Sequence, residues 1–157
     1  MTIPQTHILY IEDHEDTREL ITLVLSKSNH KVTTASRIED ALKLARAQQF
    51  DLYLLDSWLP DGTGIDLCKQ LREFDQRTPI MFLSGLAYAA DKQAAIDHGA
   101  QRYLVKPADI RLVSKEVNAL IATARNQNPS EGFTTSQSHL RADIDRTKGF
   151  GVLHLEI

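Results

Sequence analysis

Leu52-Tyr53-Leu54-Leu55 runs apolar without the alternation expected of a strand that has one wet face. A strand of this kind is covered on both sides, which a parallel sheet flanked by helices achieves. His7-Ile8-Leu9-Tyr10-Ile11, Ile80-Met81-Phe82-Leu83 and the shorter Tyr103-Leu104-Val105 have the same character. Polar groups collect just past these runs: Glu12 and Asp13 after the first, Asp56 after Leu55, Ser84 after Leu83, and Lys106 after Val105. Residues at the carboxyl ends of parallel strands converge on one rim, where open α/β sheets place their ligands.

Between the strands the apolar period changes from continuous to helical. Strands are predicted at 6–11, 31–35, 51–56, 80–83 and 101–105, and helices at 16–28, 36–48, 65–74, 88–97 and 109–125. Leu20, Ile21, Leu23 and Val24 form the inner side of the first helix, and Ile38, Leu42 and Ala45 that of the second. Ser36 and Glu39 have the spacing of a capping box. Pro60, Gly62 and Gly64 mark a turn, Gly99 stops the fourth helix, and Ile110, Val113, Val117, Leu120 and Ile121 make one stripe on the fifth. Strands and helices alternate throughout, so right-handed crossovers should build a parallel sheet with helices on both faces.

At 157 residues and net charge −3, the chain suits one domain with some extra length and no general attraction to nucleic acid or anionic membranes. No apolar stretch has the length of a membrane span, and the start, MTIPQTH, has no signal-peptide pattern, so a cytoplasmic protein is expected. Cys68 is the single cysteine, which excludes an intrachain disulfide and a cysteine metal cage. It falls on the inner stripe of its helix with Ile65 and Leu71, where a buried apolar role is expected.

Glu12, Asp13 and Asp56 brought to one rim repel one another, and Lys106 supplies one compensating charge. The remaining deficit suits a hard divalent cation with oxygen ligands, Mg²⁺ above all, which also neutralises a transferring phosphoryl group. Asp56 is then a candidate nucleophile, since carboxylates form aspartyl phosphates. Ser84 is placed to donate a hydrogen bond to a phosphoryl oxygen and Lys106 to pair with another. His14, beside the acidic pair, is read as a solvated loop residue, because imidazole is a poor ligand for Mg²⁺.

These residues carry a resemblance. Glu12-Asp13, Asp56 followed by Leu59-Pro60-Asp61-Gly62, Ser84 before a small residue, and Lys106-Pro107 occur in the order found in receiver domains of bacterial two-component response regulators. The resemblance covers residues 5–125 and implies a flavodoxin-like fold, a doubly wound five-stranded parallel sheet in the order 2-1-3-4-5 with five helices. It implies a phosphoacceptor signalling domain, catalysing only its own phosphotransfer and dephosphorylation, with a sensor histidine kinase or phosphotransfer protein as donor. Mg²⁺ would be held by Asp13, Asp56 and the backbone carbonyl of Trp58, with Glu12, in place of the commoner Asp, acting directly or through water. The Lys106-Pro107 bond is expected to be cis. Phosphorylation would draw Ser84 toward the phosphate, turn Tyr103 inward, and alter the face of the fourth helix, fifth strand and fifth helix toward a downstream protein.

The chain also departs from the pattern. Trp58 and Leu86 are bulky and apolar at positions that border the path of attacking water in receivers, so slow self-dephosphorylation is expected. Gln101-Arg102 stand where receivers joined to winged-helix domains usually have an acidic pair, and the symmetric salt-bridged dimer of that subfamily is not expected; a homodimer of another kind is not excluded. Residues 126–157 read as a polar linker and tail without an effector domain, whose alternating Leu153, Leu155 and Ile157 would add a strand to a sheet edge or remain disordered. The reading is a stand-alone response regulator with no direct contact to nucleic acid or membrane. The alternative is the N-terminal receiver part of a DNA-binding transcriptional regulator. A phosphatase with an aspartyl-phosphate intermediate would want an acid where Trp58 stands.

Overall fold

The computed structural model describes residues 4–107, 110–127 and 152–153. In chain order the elements are β1 (Thr6–Ile11), α1 (Glu15–Lys27), β2 (His30–Ala35), α2 (Ile38–Ala47), β3 (Leu52–Leu55), β4 (Trp58–Leu59), β5 (Gly62–Thr63), α3 (Gly64–Phe74), β6 (Ile80–Ser84), α4 (Ala89–Asp97), β7 (Arg102–Val105), α5 (Ile110–Gln127) and β8 (Val152–Leu153). The main sheet has the order β2-β1-β3-β6-β7-β8, and every pairing in it is parallel. Its first five strands are the predicted doubly wound sheet, with the order reversing beside β1 and opening a crevice at the carboxyl ends of β1 and β3.

The unalternated runs are buried as expected: Ile8, Leu9, Leu52, Leu54, Leu55, Met81 and Phe82 expose none of their surface. One apolar layer joins Leu9, Ile11, Tyr53, Leu55 and Phe82 to α2, α3 and Ala95 of α4. The other joins Ile8, Tyr10, Leu54, Met81 and Leu104 to Ile21 and Leu25 of α1 and to Val113, Val117, Leu120 and Ile121 of α5. Each fully buried side chain of this size contributes about 1.5–3 kcal/mol relative to exposure, so the layered burial fixes the sheet's register. The expected stripe on α5 is seen except at Ile110, whose side chain lies outside the described residues.

The structure corrects the first helix. α1 rests on the sheet by Ile21 and Leu25, one turn apart, while Leu20 and Leu23 are exposed. Each residue turns the helix by about 100°, so a contact centred on Ile21 and Leu25 carries their neighbours out of the core. The Ser36-Glu39 capping box does not form either. Arg37 is the N-cap residue of α2 and offers no side-chain cap, and the Asp61 carboxylate instead accepts hydrogen bonds from the amides of Ile38 at 2.8 Å and Glu39 at 3.1 Å. A capping box does open α3, from Thr63 and Asp66. The predicted turn around Pro60 and Gly62 contains a small antiparallel hairpin, β4 with β5.

Of the 126–157 tail, Gln127 ends α5 and Val152–Leu153 add the sixth strand; residues 128–151 and 154–157 lie outside the described residues.

Candidate functional site

Glu12 and Asp13 follow β1, and Asp56 follows β3, which lies beside β1 in the sheet. The Asp56 amide donates to the Ile11 carbonyl at 3.1 Å, extending that pairing by one residue and fixing where the carboxylate begins. Carboxylate oxygens of Glu12, Asp13 and Asp56 all lie within 4.8 Å of one another. Glu12 is buried, Asp56 half-buried and Asp13 exposed, so the cluster grades from the core to the surface. One Asp56 oxygen accepts the amide of Ser57 at 2.8 Å.

Lys106 follows β7, two strands away from β3, and its side chain bridges the gap. Its Nζ donates to both Glu12 oxygens, at 3.2 and 3.0 Å, and stands 3.7 Å from Asp56 Oδ1. The lysine is thus bound mainly to Glu12, which has the closer oxygens. Burial pushes the Glu12 carboxyl up to about 7; the Lys106 hydrogen bond opposes the rise and the neighbouring Asp56 adds to it. The Lys106 amide donates to the Ser84 carbonyl at 2.7 Å, and the Lys106-Pro107 peptide bond is cis, as expected.

Ser84 ends β6 and is fully buried. Its Oγ accepts the Leu86 amide at 3.1 Å, an arrangement that leaves the hydroxyl proton available for another acceptor. Tyr103 exposes 1% of its surface, stacks on Phe82 with ring centres 5.6 Å apart, and donates its hydroxyl to the Leu86 carbonyl at 2.8 Å. The ring therefore already occupies the inward position that the sequence reading associates with phosphorylation. Ser57 Oγ lies 3.4 Å from the same hydroxyl and links Tyr103 to the residue after Asp56. Trp58 starts β4 and exposes 62% of its surface.

Sequence reasoning missed several supporting residues. Arg18 reaches back from α1 to donate to the Glu12 carbonyl at 3.0 Å and the Asp13 carbonyl at 3.5 Å, so one guanidinium holds the acidic pair by its main chain. The i to i+5 or i+6 spacing places it one turn into the helix, a signal readable only once the helix start is known. His14 is the N-cap residue of α1, its Nδ1 accepting the Thr17 amide at 3.3 Å. Asp61 belongs to the Leu59-Pro60-Asp61-Gly62 run, and its carboxylate also holds the start of α2.

Gly64 sets the back wall. A Cβ there would meet the Asp56 carbonyl oxygen at 2.2 Å and the Phe82 ring at 2.8 Å. Only glycine lets α3 start this close to the backbone that carries Asp56. Cys68 is fully buried on α3, donates weakly to the His98 carbonyl at 3.3 Å, and has its thiol pushed up to about 11 by burial. It belongs to the core, as expected.

Gln101 and Arg102, where an acidic pair was missing, are occupied within the chain. The Gln101 side-chain oxygen accepts the Ile80 amide at 2.7 Å, and Arg102 pairs with Glu116 at 3.3 Å. No helix among the described residues is long and apolar enough to cross a membrane.

Comparison with known proteins agrees with this geometry. The family model for the response regulator receiver domain matches residues 8–118. The response regulator ArlR of Staphylococcus aureus is 34% identical over 116 residues, which are 74% of this chain and 52% of that protein. The chain thus spans about half the length of the curated relatives it matches. A two-component response regulator from Clostridium difficile superposes with a TM-score of 0.72 at 26% identity, over 75% of this chain and 97% of the other. A CheY-like receiver domain from Methanospirillum hungatei JF-1 shares the fold with a TM-score of 0.76 at 19% identity, over 79% of this chain and 99% of the other. The chain belongs to the response regulator receiver family, the phosphoacceptor domains of two-component signalling.

Proposed function

We propose that this chain accepts a phosphoryl group on Asp56 from the phosphohistidine of a sensor kinase or phosphotransfer protein. The observation that carries the reading is the cluster of Glu12, Asp13 and Asp56 within 4.8 Å, with the Lys106 ammonium 3.7 Å from Asp56. In the transfer an Asp56 carboxylate oxygen forms the new O–P bond, the N–P bond of phosphohistidine breaks, and the imidazole leaves with its electron pair and takes up a proton. Lys106 and the Ser84 hydroxyl are the donors for the phosphoryl oxygens. Bringing Lys106 onto the phosphoryl group loosens its hold on Glu12, which is the closer partner here.

The donor set fits Mg²⁺: clustered hard oxygens, graded from buried to exposed, with one lysine for three carboxylates. Asp13, Asp56 and the Trp58 carbonyl would hold the ion, with Glu12 direct or through water. When bound, it neutralises charge on the transferring group. Ser84 and Tyr103 are assigned the switch, and the surface of α4, β7 and α5 the contact with a downstream protein. In this reading the regulator is cytoplasmic and acts through that protein contact. Since the curated relatives are about twice the matched length, a second reading is the receiver part of a longer DNA-binding regulator. The full open reading frame decides between the two.

The test is incubation with acetyl phosphate and Mg²⁺, with phosphorylation read by intact mass. Wild type gains one phosphoryl group and Asp56→Asn gains none. Equal labelling of the variant would remove Asp56 from the reading.

A further inference from the structure

β7 would be the last strand of the sheet but for Val152–Leu153, which lie parallel to it with Val152 opposite Tyr103 and Leu153 opposite Leu104. An open edge strand presents unpaired amides and carbonyls, and proteins cover or blunt such edges. This edge lies between α4 and α5 and includes the main chain of Tyr103, whose ring is seated against Phe82 and the Leu86 carbonyl. The added strand has two residues, so only a few hydrogen bonds hold it. The sequence around it, Gly151-Val152-Leu153-His154-Leu155-Glu156-Ile157, alternates in the manner of a strand, with β-branched or leucine residues at every second position from Leu153.

We propose that the Val152–Leu153 segment is a built-in edge strand, docking in cis on β7, covering the edge of that strand, and holding the main chain at Tyr103 in the register that keeps its ring seated. α5 returns the chain along the face of the sheet after β7, and β8 completes a β-α-β unit with it. A pairing this short is displaceable. The same edge is the place where an extended segment of a partner protein would add by strand pairing, and it must expel β8 to do so. That consequence for signalling rests on the switch assigned to Tyr103 above; the strand itself does not.

The test is deuterium exchange followed by mass spectrometry on the full chain, comparing wild type with a Val152→Pro, Leu153→Pro double variant. Proline removes the amides that pair with β7 and is disfavoured within a ladder. Amides of residues 102–105 should exchange at least about fivefold faster in the variant, the effect of losing one or two hydrogen bonds. Amides of β1 and β3 should stay protected. Unchanged exchange at 102–105 overturns the proposal, and so does wild-type protection there that grows with protein concentration, which means a strand from a second copy. If the proline variant loses protection throughout, a Val152→Gly, Leu153→Gly variant replaces it, with faster exchange confined to 102–105 expected and no change overturning the idea. Asp56→Asn should keep wild-type protection of β7, so failure of the strand and failure of the phosphoacceptor reading give different results.

Discussion

Trp58 and Leu86 stand two residues past Asp56 and Ser84, and neither side chain offers an acceptor that could orient an attacking water. Trp58 is largely exposed, and Leu86 is half-buried with its amide on Ser84 and its carbonyl on Tyr103. Water attacking an aspartyl phosphate needs both access and orientation. We expect phosphorylated protein to decay slowly, and Trp58→Asn or Leu86→Glu to speed the decay roughly tenfold, equivalent to about 1.4 kcal/mol of barrier. A time course of intact mass after removal of the phosphodonor measures it; identical decay in all three proteins would sink the explanation. At this scale the sequence was informative about which residues meet, because strand ends fix position. It was silent on whom each residue binds. Lys106 stands nearer Glu12 than Asp56 because the longer Glu side chain reaches it, and no spacing rule encodes that.

Among the elements, α3 depends on the most demanding contact in the site. Gly64 leaves no room for a methyl group against the Asp56 carbonyl and Phe82. Gly64→Ala should cost about 1–3 kcal/mol through overpacking and shift Asp56, lowering phosphorylation as well as stability. Urea unfolding with the acetyl phosphate assay checks both at once. The far end of α3 carries a second dependency. Asp75 accepts from the Tyr53 hydroxyl at 2.7 Å, the Thr78 hydroxyl at 2.6 Å, and the amides of Arg77 and Thr78 at 3.1 and 3.0 Å. Burial alone would raise its carboxyl, but the Thr78, Tyr53 and Arg77 hydrogen bonds prevail and hold it below the usual carboxylate range. Its stabilising contribution is therefore complete above the unfolded pKa of ~3.9 and is lost as pH falls through the lower folded value. Melting points measured from pH 6 down to pH 2.5 should fall less steeply for Asp75→Asn than for wild type, and equal slopes would refute it. Element boundaries were legible in the sequence to within a few residues. The capping of α2 was not, because its acceptor, Asp61, comes from a hairpin more than twenty residues away and replaces the local pair Ser36-Glu39.

For the molecule as a whole, the acidic rim gathers three mutually repelling carboxylates, a cost that a bound cation would relieve. A ligand that binds only the folded state stabilises it by about 2.7 kcal/mol at a hundredfold excess over its dissociation constant. Thermal unfolding should shift upward on adding Mg²⁺ and return on adding EDTA. Asp13→Asn should abolish most of that shift without lowering stability in the metal-free protein, since it removes one of the mutually repelling charges. A variant that keeps the full Mg²⁺ response would show that Asp13 is not a ligand. The parallel sheet follows from alternating buried strands and helices, while the order of its first five strands was implied by the resemblance to receiver domains. The sixth strand was one of two expectations for the tail, because a short alternating segment does not by itself specify the edge it joins.

The Lys106–Glu12 bond spans 94 positions of the chain. Asp56 leaves the ribosome fifty residues before Lys106 does, and β7 can pair with β6 only through the crossover that contains α4. Translation therefore sets a clock on the site: the chain acquires its full set of charges only when β7 joins the sheet. A nascent chain that has not yet passed β7 has the proposed acceptor without its lysine.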